Sequence, residues 1–215
     1  MKKQHPIKLL IKQGEGLQLD FKFEISDAAK IARSLVAFAN TKGGKLLVGV
    51  KDNGSIAGIR SEEEIYMIDN AAKRFCKPEI NFTSREWNIE GKKILEVNIA
   101  RSKNYPHKAP DHKGKYKAYY RHEDENLLVN GVQLKVWTKQ NSLDNINITY
   151  GETEQELMKH LNTHNDSDFI TLQDVSGLNK HNLENLLSDF ILMDLIELHP
   201  ENDSYIFRLK IHKEI

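Results

Sequence analysis

The sequence predicts an α+β fold, a mixed sheet with packed helices followed by a small winged-helix-like domain. Two observations predict the class. Strand-length apolar runs and helical patterns mix without βαβ regularity, and the last third reads as three helices and a terminal hairpin, with helix-turn-helix as its core. Charge predicts the division. The 215 residues carry 31 Lys and Arg against 31 Asp and Glu, yet residues 1–140 hold 26 against 17 and residues 141–215 hold 5 against 14. A net charge of zero thus hides a half at +9 and a half at −9, the pattern of a nucleic-acid- or anion-binding domain joined to an acidic one.

In order, Pro6 opens a short helix that Gly14 ends. Leu17 to Phe23 alternates strictly, with Gln18, Asp20 and Lys22 on one face, and reads as a half-buried strand. Ser26 caps a helix to about residue 41 with a broad apolar face. Gly43-Gly44 stops it before the strand 46–50, and Asp52-Asn53-Gly54-Ser55 has the composition of a type I′ hairpin turn. Ser61 and Glu64 form a capping box for a helix to about residue 75. Strands at 80–89 and 92–99 flank Glu90-Gly91, a basic loop spans 101–117, and a strand follows at 116–121. A short helix at 131–139 closes the first domain, 1–139. The polar, Asn-rich stretch 140–151 is read as a linker. In 152–215, helices are expected at 152–164, 171–177 (capped by Thr171) and 180–193, then strands at 196–199 and 204–210 across the turn Glu201-Asn202-Asp203.

Composition excludes several classes. Charged residues at 29% with 8% aromatics suit a folded chain. The lone Cys76 allows no intrachain disulfide and no cysteine-based zinc cluster, which fits a reducing cytosol. The apolar stretch after Met1-Lys2-Lys3 is too short for a signal peptide or a membrane span, so a cytoplasmic protein without a membrane partner is expected.

Three constellations carry candidate chemistry. Asp20 and Lys22 share a strand face about 7 Å apart, Glu15 precedes them, and Asp52 ends a neighbouring strand. Carboxylates so grouped can hold Mg²⁺ or Mn²⁺, with a lysine steadying a phosphate; the same residues also fit a surface Asp–Lys pair and an ordinary turn aspartate. Phe38 to Lys45 invites comparison with a phosphate loop, but G-x-x-x-x-G-K-[ST] is absent and the glycines follow a helix instead of preceding one, so ATP is not expected as a cofactor. The stretch 101–121 holds Lys103, Lys108, Lys113, Lys115, Lys117 and Arg121, with Tyr119 among its tyrosines, against the single acid Asp111. Such residues neutralise phosphates and stack on bases.

Taken together, Leu35 to Gly58, containing Ala37-Phe38-Ala39-Asn40-Thr41, Gly43-Gly44 and Val48-Gly49-Val50, resembles the signature of the Schlafen/AlbA-like domain. Glu15 with Leu19-Asp20-Phe21-Lys22 resembles that family's acidic-and-lysine motif, and Tyr119-Tyr120-Arg121 its later aromatic-arginine strand. The likeness spans roughly residues 9–135. It implies a nucleic-acid-binding α+β domain, in bacteria often followed by a winged helix and described as a transcriptional regulator or ATP-binding protein. In the animal Schlafen branch, three acids make a metal-dependent ribonuclease, and Glu15, Asp20 and Asp52 are the matching positions. Two departures stand out: Asp20 occupies a position more often Glu, and His122-Glu123-Asp124-Glu125-Asn126 replaces small residues and glycine with acids that repel phosphate.

The main expectation is a regulator-type protein whose basic domain contacts DNA or RNA phosphates, with no cofactor required. The alternatives are a ribonuclease using Glu15, Asp20, Lys22 and Asp52 with Mg²⁺ or Mn²⁺, and an ATP-binding signalling module. The acidic second domain is expected to be repelled by DNA and to serve docking onto the first domain, homodimerisation or protein binding.

Overall fold

The computed structural model describes residues 5–141, 150–201 and 204–210. Met1-Lys2-Lys3, most of the expected linker, and Asn202 and Asp203 of the expected turn lie outside the described residues. The chain divides into two units, Met1–Val129 and Asn130–Ile215.

In the first unit, β1 (Leu19–Lys22) pairs in parallel with β2 (Gly44–Val48), and β2 pairs antiparallel with β4 (Lys92–Ile99), which pairs with β3 (Phe82–Ile89). The sheet is therefore mixed, in the order β1-β2-β4-β3. Strand β2 is apolar on both faces, so both faces must be covered. Leu47 packs with Phe21 and with Ile7 of helix α1 (Pro6–Gln13), whereas Leu46 and Val48 pack with Leu35 and Phe38 of helix α2 (Ala28–Asn40).

A second sheet, β5 (Lys108–Pro110), β6 (Tyr116–His122) and β7 (Glu125–Leu128), also packs on α2, placing Ala109 and Tyr119 in the α2 core. Helix α2 thus contacts both sheets, which explains why its sequence is apolar almost all round. Helix α3 (Glu63–Asn70) runs into a π-helical turn, Ala71–Phe75, that completes this core with Ile68, Ala71 and Ala72.

Some local signals acted one step away from where they were expected. Asp27, not Ser26, caps α2, its Oδ1 accepting the amides of Ala29 at 2.8 Å and Lys30 at 3.1 Å. At Asp52–Ser55 only Gly54 has positive φ, +79°, so the turn is not type I′; Glu90 and Gly91, at 54° and 80°, supply the positive pair that a two-residue hairpin needs.

The second unit contains α4 (Gly131–Asn141), α5 (Glu152–Thr163), β8 (Ser167–Asp168), α6 (Phe169–Ser176), α7 (Lys180–Leu192), β9 (Ile196–Glu201) and β10 (Ser204–Leu209). The strands form an antiparallel sheet in the order β8-β10-β9, and Leu157, Leu172, Leu183, Leu187, Phe190 and Phe207 make its core. Asp168, not Thr171, caps α6, accepting the Thr171 amide at 2.7 Å. Helix α4, expected to close the first domain, belongs here: Val132 enters this core and α4 packs along α7. Lys135 donates to Asn185 Oδ1 at 2.9 Å, and Lys139 reaches Ser188 Oγ at 2.8 Å and Asp189 Oδ1 at 2.7 Å. Among the described residues no helix is long and apolar enough to cross a membrane.

Candidate nucleic-acid interface

Asn40 and Thr41 of the signature segment make inward hydrogen bonds. Asn40, at the end of α2, is buried; its Nδ2 donates to the carbonyls of His107 at 2.9 Å and Tyr119 at 2.8 Å, and its Oδ1 accepts the His107 amide at 2.8 Å. Thr41 Oγ1 accepts the Arg121 amide at 2.9 Å and donates to the Ala37 carbonyl at 2.8 Å. These two side chains pin the second sheet to α2. Gly44 has a packing reason as well: a Cβ there would stand 2.3 Å from the Phe38 ring. The segment is a structural joint, and Asn40 presents no amide to solvent.

Asp20 and Lys22 lie on the β1 face opposite Leu19 and Phe21, as the alternation predicts. That face is covered rather than open, because Arg121 of β6 reaches down to it. Asp20 is 3% exposed; its Oδ1 meets Arg121 Nη2 at 3.4 Å, and its Oδ2 lies 2.8 Å from Lys22 Nζ, off the hydrogen-bonding direction. Lys22 also donates to the Phe21 carbonyl at 2.8 Å. Glu15 Oε1 accepts the Phe21 amide at 2.7 Å. Burial pushes the Glu15 carboxyl above its ordinary pKa, and the neighbouring Asp20 carboxylate adds to the rise, while the Phe21 amide and Lys22 oppose it.

The three acids do not form one group. Asp52 is exposed in its turn, on a groove of about 700 Å³ that it shares with Lys22 but not with Glu15 or Asp20. That groove mixes three cations (Lys22, Lys30, Arg33) with four carboxylates (Glu24, Asp27, Asp52, Glu125) and so has no clear attraction for phosphate. Among the described residues no three His, Cys, Asp or Glu side chains come together to hold a metal. Mg²⁺ or Mn²⁺ at Asp20 would have to displace two cations already on its oxygens, so these residues do not fit the metal that the resemblance implied.

The basic stretch is more ordered than the expected loop, with β5 and β6 forming a hairpin inside it. Asp111 sets the tip. Desolvation works against its charge, but the amides of Lys115 and Lys113, donating to Oδ1 at 2.9 and 2.8 Å, hold its carboxyl below the ordinary range. His107, 4% exposed, anchors the approach, with Nδ1 2.8 Å from the Pro78 carbonyl and Nε2 2.7 Å from Ser102 Oγ.

Lys103, Lys113, Lys115 and Lys117 are exposed and Lys108 is half-buried. Two expected contacts are not on this surface. Tyr119 is 6% exposed, and burial raises its phenol pKa. The Arg121 guanidinium donates to Gly16 O at 3.1 Å, Leu19 O at 3.3 Å and Asn126 Oδ1 at 3.1 Å, besides meeting Asp20. It is a buried strut, and it cannot reach a phosphate while those bonds hold.

Sequence order concealed two further cations. Lys77 and Lys108 exchange backbone hydrogen bonds of 2.8 and 2.7 Å, Lys77 Nζ sits 4.2 Å from the Tyr116 ring centre, and the Tyr116 hydroxyl donates to the Arg74 carbonyl at 3.3 Å. Exposed Arg74 and Lys77 therefore join the hairpin base. Only the run of Lys and Arg at 73–77 hinted at them. The acids Glu123 to Glu125 lie at the far end of β6, roughly 20 Å from the tip at strand spacing.

The family described as Schlafen, AlbA_2 matches residues 15–130, more than half of the chain. No curated protein matches. Among solved structures, the DIP2311 protein from Corynebacterium diphtheriae is 17% identical with a TM-score of 0.45, covering 68% of this chain and 30% of that one. The N-terminal domain of a protein from Nitrosomonas europaea, described as related to the DNA helicase RecG, is 17% identical with a TM-score of 0.40, covering 69% of this chain and 97% of that one. This chain thus spans under a third of the Corynebacterium protein's length.

Proposed function

Because the chain belongs to the Schlafen AlbA_2 family, we propose that it is a nucleic-acid-binding protein of transcriptional-regulator type that grips phosphates with the β5–β6 hairpin. One observation carries the reading: Lys103, Lys108, Lys113, Lys115 and Lys117 form no ion pair with any described acid. Cations gathered around the single acid Asp111, whose carboxylate is engaged by backbone amides, repel one another, and a polyanion relieves that repulsion while releasing its own counterions. Arg74 and Lys77 extend the footprint. The second unit, in which α5, α6 and α7 precede the β9–β10 hairpin, is read as winged-helix-like, and it contributes no phosphate contact.

The test is fluorescence anisotropy of a labelled duplex and a labelled structured RNA against salt concentration. Binding should weaken with a log–log slope of about −0.9 per phosphate neutralised on B-DNA. Lys113→Ala with Lys115→Ala should flatten the slope by about 2. Binding indifferent to salt, or a double variant with unchanged slope, sinks the reading.

A further inference from the structure

The second unit carries a cavity that the nucleic-acid reading does not use. It encloses about 270 Å³ and is lined by Val132, Phe169, Ile170, Tyr205 and Phe207, with Glu184 of α7 also on its wall. The Phe169 and Phe207 ring centres are 6.5 Å apart, at 50° to each other. The lining is mostly hydrocarbon, and the size suits one aromatic ring with a short alkyl arm, below the range that holds a drug-sized ligand.

Three charged side chains border this space, and they differ in what they already do. Asp168 is committed as the cap of α6, its Oδ1 on the Thr171 amide at 2.7 Å. The Lys180 side chain is 76% exposed and comes no nearer Glu184 Oε1 than 3.9 Å, beyond hydrogen-bond distance. The Glu184 side chain is 14% exposed, and its carboxylate accepts no hydrogen bond among the described residues. Gly131 leaves room for it, since a Cβ there would stand 2.0 Å from Glu184 Oε1. A carboxylate on a mostly apolar wall, whose nearest cation stands 3.9 Å away, is only partly compensated. A ligand that brings an ammonium group and an apolar body would satisfy the carboxylate and the hydrocarbon wall together.

We propose that this cavity binds a small apolar amine, with its ammonium on Glu184 and its hydrocarbon against Phe169 and Phe207. An apolar acid of the same shape would bring like charge to Glu184, and a neutral one would leave the carboxylate without a donor. The proposal is independent of the nucleic-acid reading, since every residue it uses lies in the second unit.

The test uses the full chain and three probes of one shape: phenethylamine, hydrocinnamate and propylbenzene. Ligand-observed NMR and thermal shift report binding. Phenethylamine should bind most tightly and raise the melting temperature. The near-isosteric Glu184→Gln should weaken it about tenfold or more, with little change in propylbenzene binding. Ile170, 70% exposed at the cavity, can be cut to alanine without threatening the fold, and Ile170→Ala should weaken the amine severalfold. Failure of phenethylamine to bind, hydrocinnamate binding as tightly, or an amine affinity unmoved by Glu184→Gln would each overturn the proposal.

Discussion

Replacing Arg121 with alanine separates the two roles open to this residue. Its side chain is 1% exposed, and its donors serve the Gly16 and Leu19 carbonyls, Asn126 and Asp20. Alanine leaves Asp20, itself 4% exposed, with Lys22 near one oxygen and no Arg121 on the other, and leaves the Gly16 and Leu19 carbonyls only the backbone amides they exchange, Gly16 N to Leu19 O at 2.9 Å and Leu19 N to Gly16 O at 3.4 Å. Breaking one side of a buried ion pair costs about 3–5 kcal/mol. The lost bonds to the Gly16 and Leu19 carbonyls and to Asn126 add a little to that and relaxation subtracts, so about 4 kcal/mol is expected, or a drop of about 10 °C or more in melting temperature. Trp87 fluorescence reports the first unit, with Trp137→Phe silencing the second. Lys117→Ala is the control: exposed and without an ion pair, it should stay within about 0.5 kcal/mol of the parent while weakening nucleic-acid binding. An Arg121→Ala protein that melts within about 1 kcal/mol of the parent yet loses affinity as Lys117→Ala does would make Arg121 a phosphate ligand and refute the buried-strut account.

Asn40→Ala removes three buried hydrogen bonds and should cost about 3 kcal/mol, with faster hydrogen exchange at the His107 amide; unchanged exchange there would contradict the pinning role. Burial raises the Glu15 pKa, so the stability this group contributes is fully present below the unfolded-state value and is lost as pH rises through the folded-state value. Glu15→Gln removes that loss, and the stability difference, variant minus parent, should grow on going from about pH 4 to 7 in urea melts; a difference that shrinks would mean burial does not dominate. Lys139→Ala should destabilise the second unit by about 1–2 kcal/mol and speed proteolysis within α4, whereas an unchanged cleavage rate would detach Lys139 from the seating of α4 on α7.

Local signals were legible in the sequence and long-range partners were not. Most helices and the longer strands stand close to where period and punctuation put them, because a buried face writes its spacing into the chain. Strand β7 was missed: Glu-Asn-Leu-Leu has little β preference, and pairing with β6 imposes the strand. For the site, alternation correctly set Asp20 and Lys22 on the face opposite Phe21. It could not tell that Arg121, about a hundred residues on, covers that face, and so Asp20 read as a metal ligand. The same blindness made Tyr119 a stacking surface, although neighbouring lysines in the same stretch do reach solvent. Charge in sequence reveals a basic region; only tertiary contact decides which of its cations are already taken.

The two units can therefore be told apart on grounds beyond net charge. Redrawn at Val129, the first holds 24 Lys and Arg against 17 acids and the second 7 against 14. Of the second unit's few cations, Lys135 and Lys139 are spent on α7, and their partners Asn185, Ser188 and Asp189 lie on the α7 face that α4 covers. Ser188, a polar residue on that face, is fully buried. Phosphate would have to approach an acidic unit and also lift α4 away from α7. Charge repels it and packing occupies the α7 face beneath α4, and these two costs arise independently. Neither applies at the β5–β6 hairpin, whose lysines are exposed or half-buried, without ion pairs and far from the acids at the other end of β6. On the proposed reading, phosphate contact belongs to the hairpin.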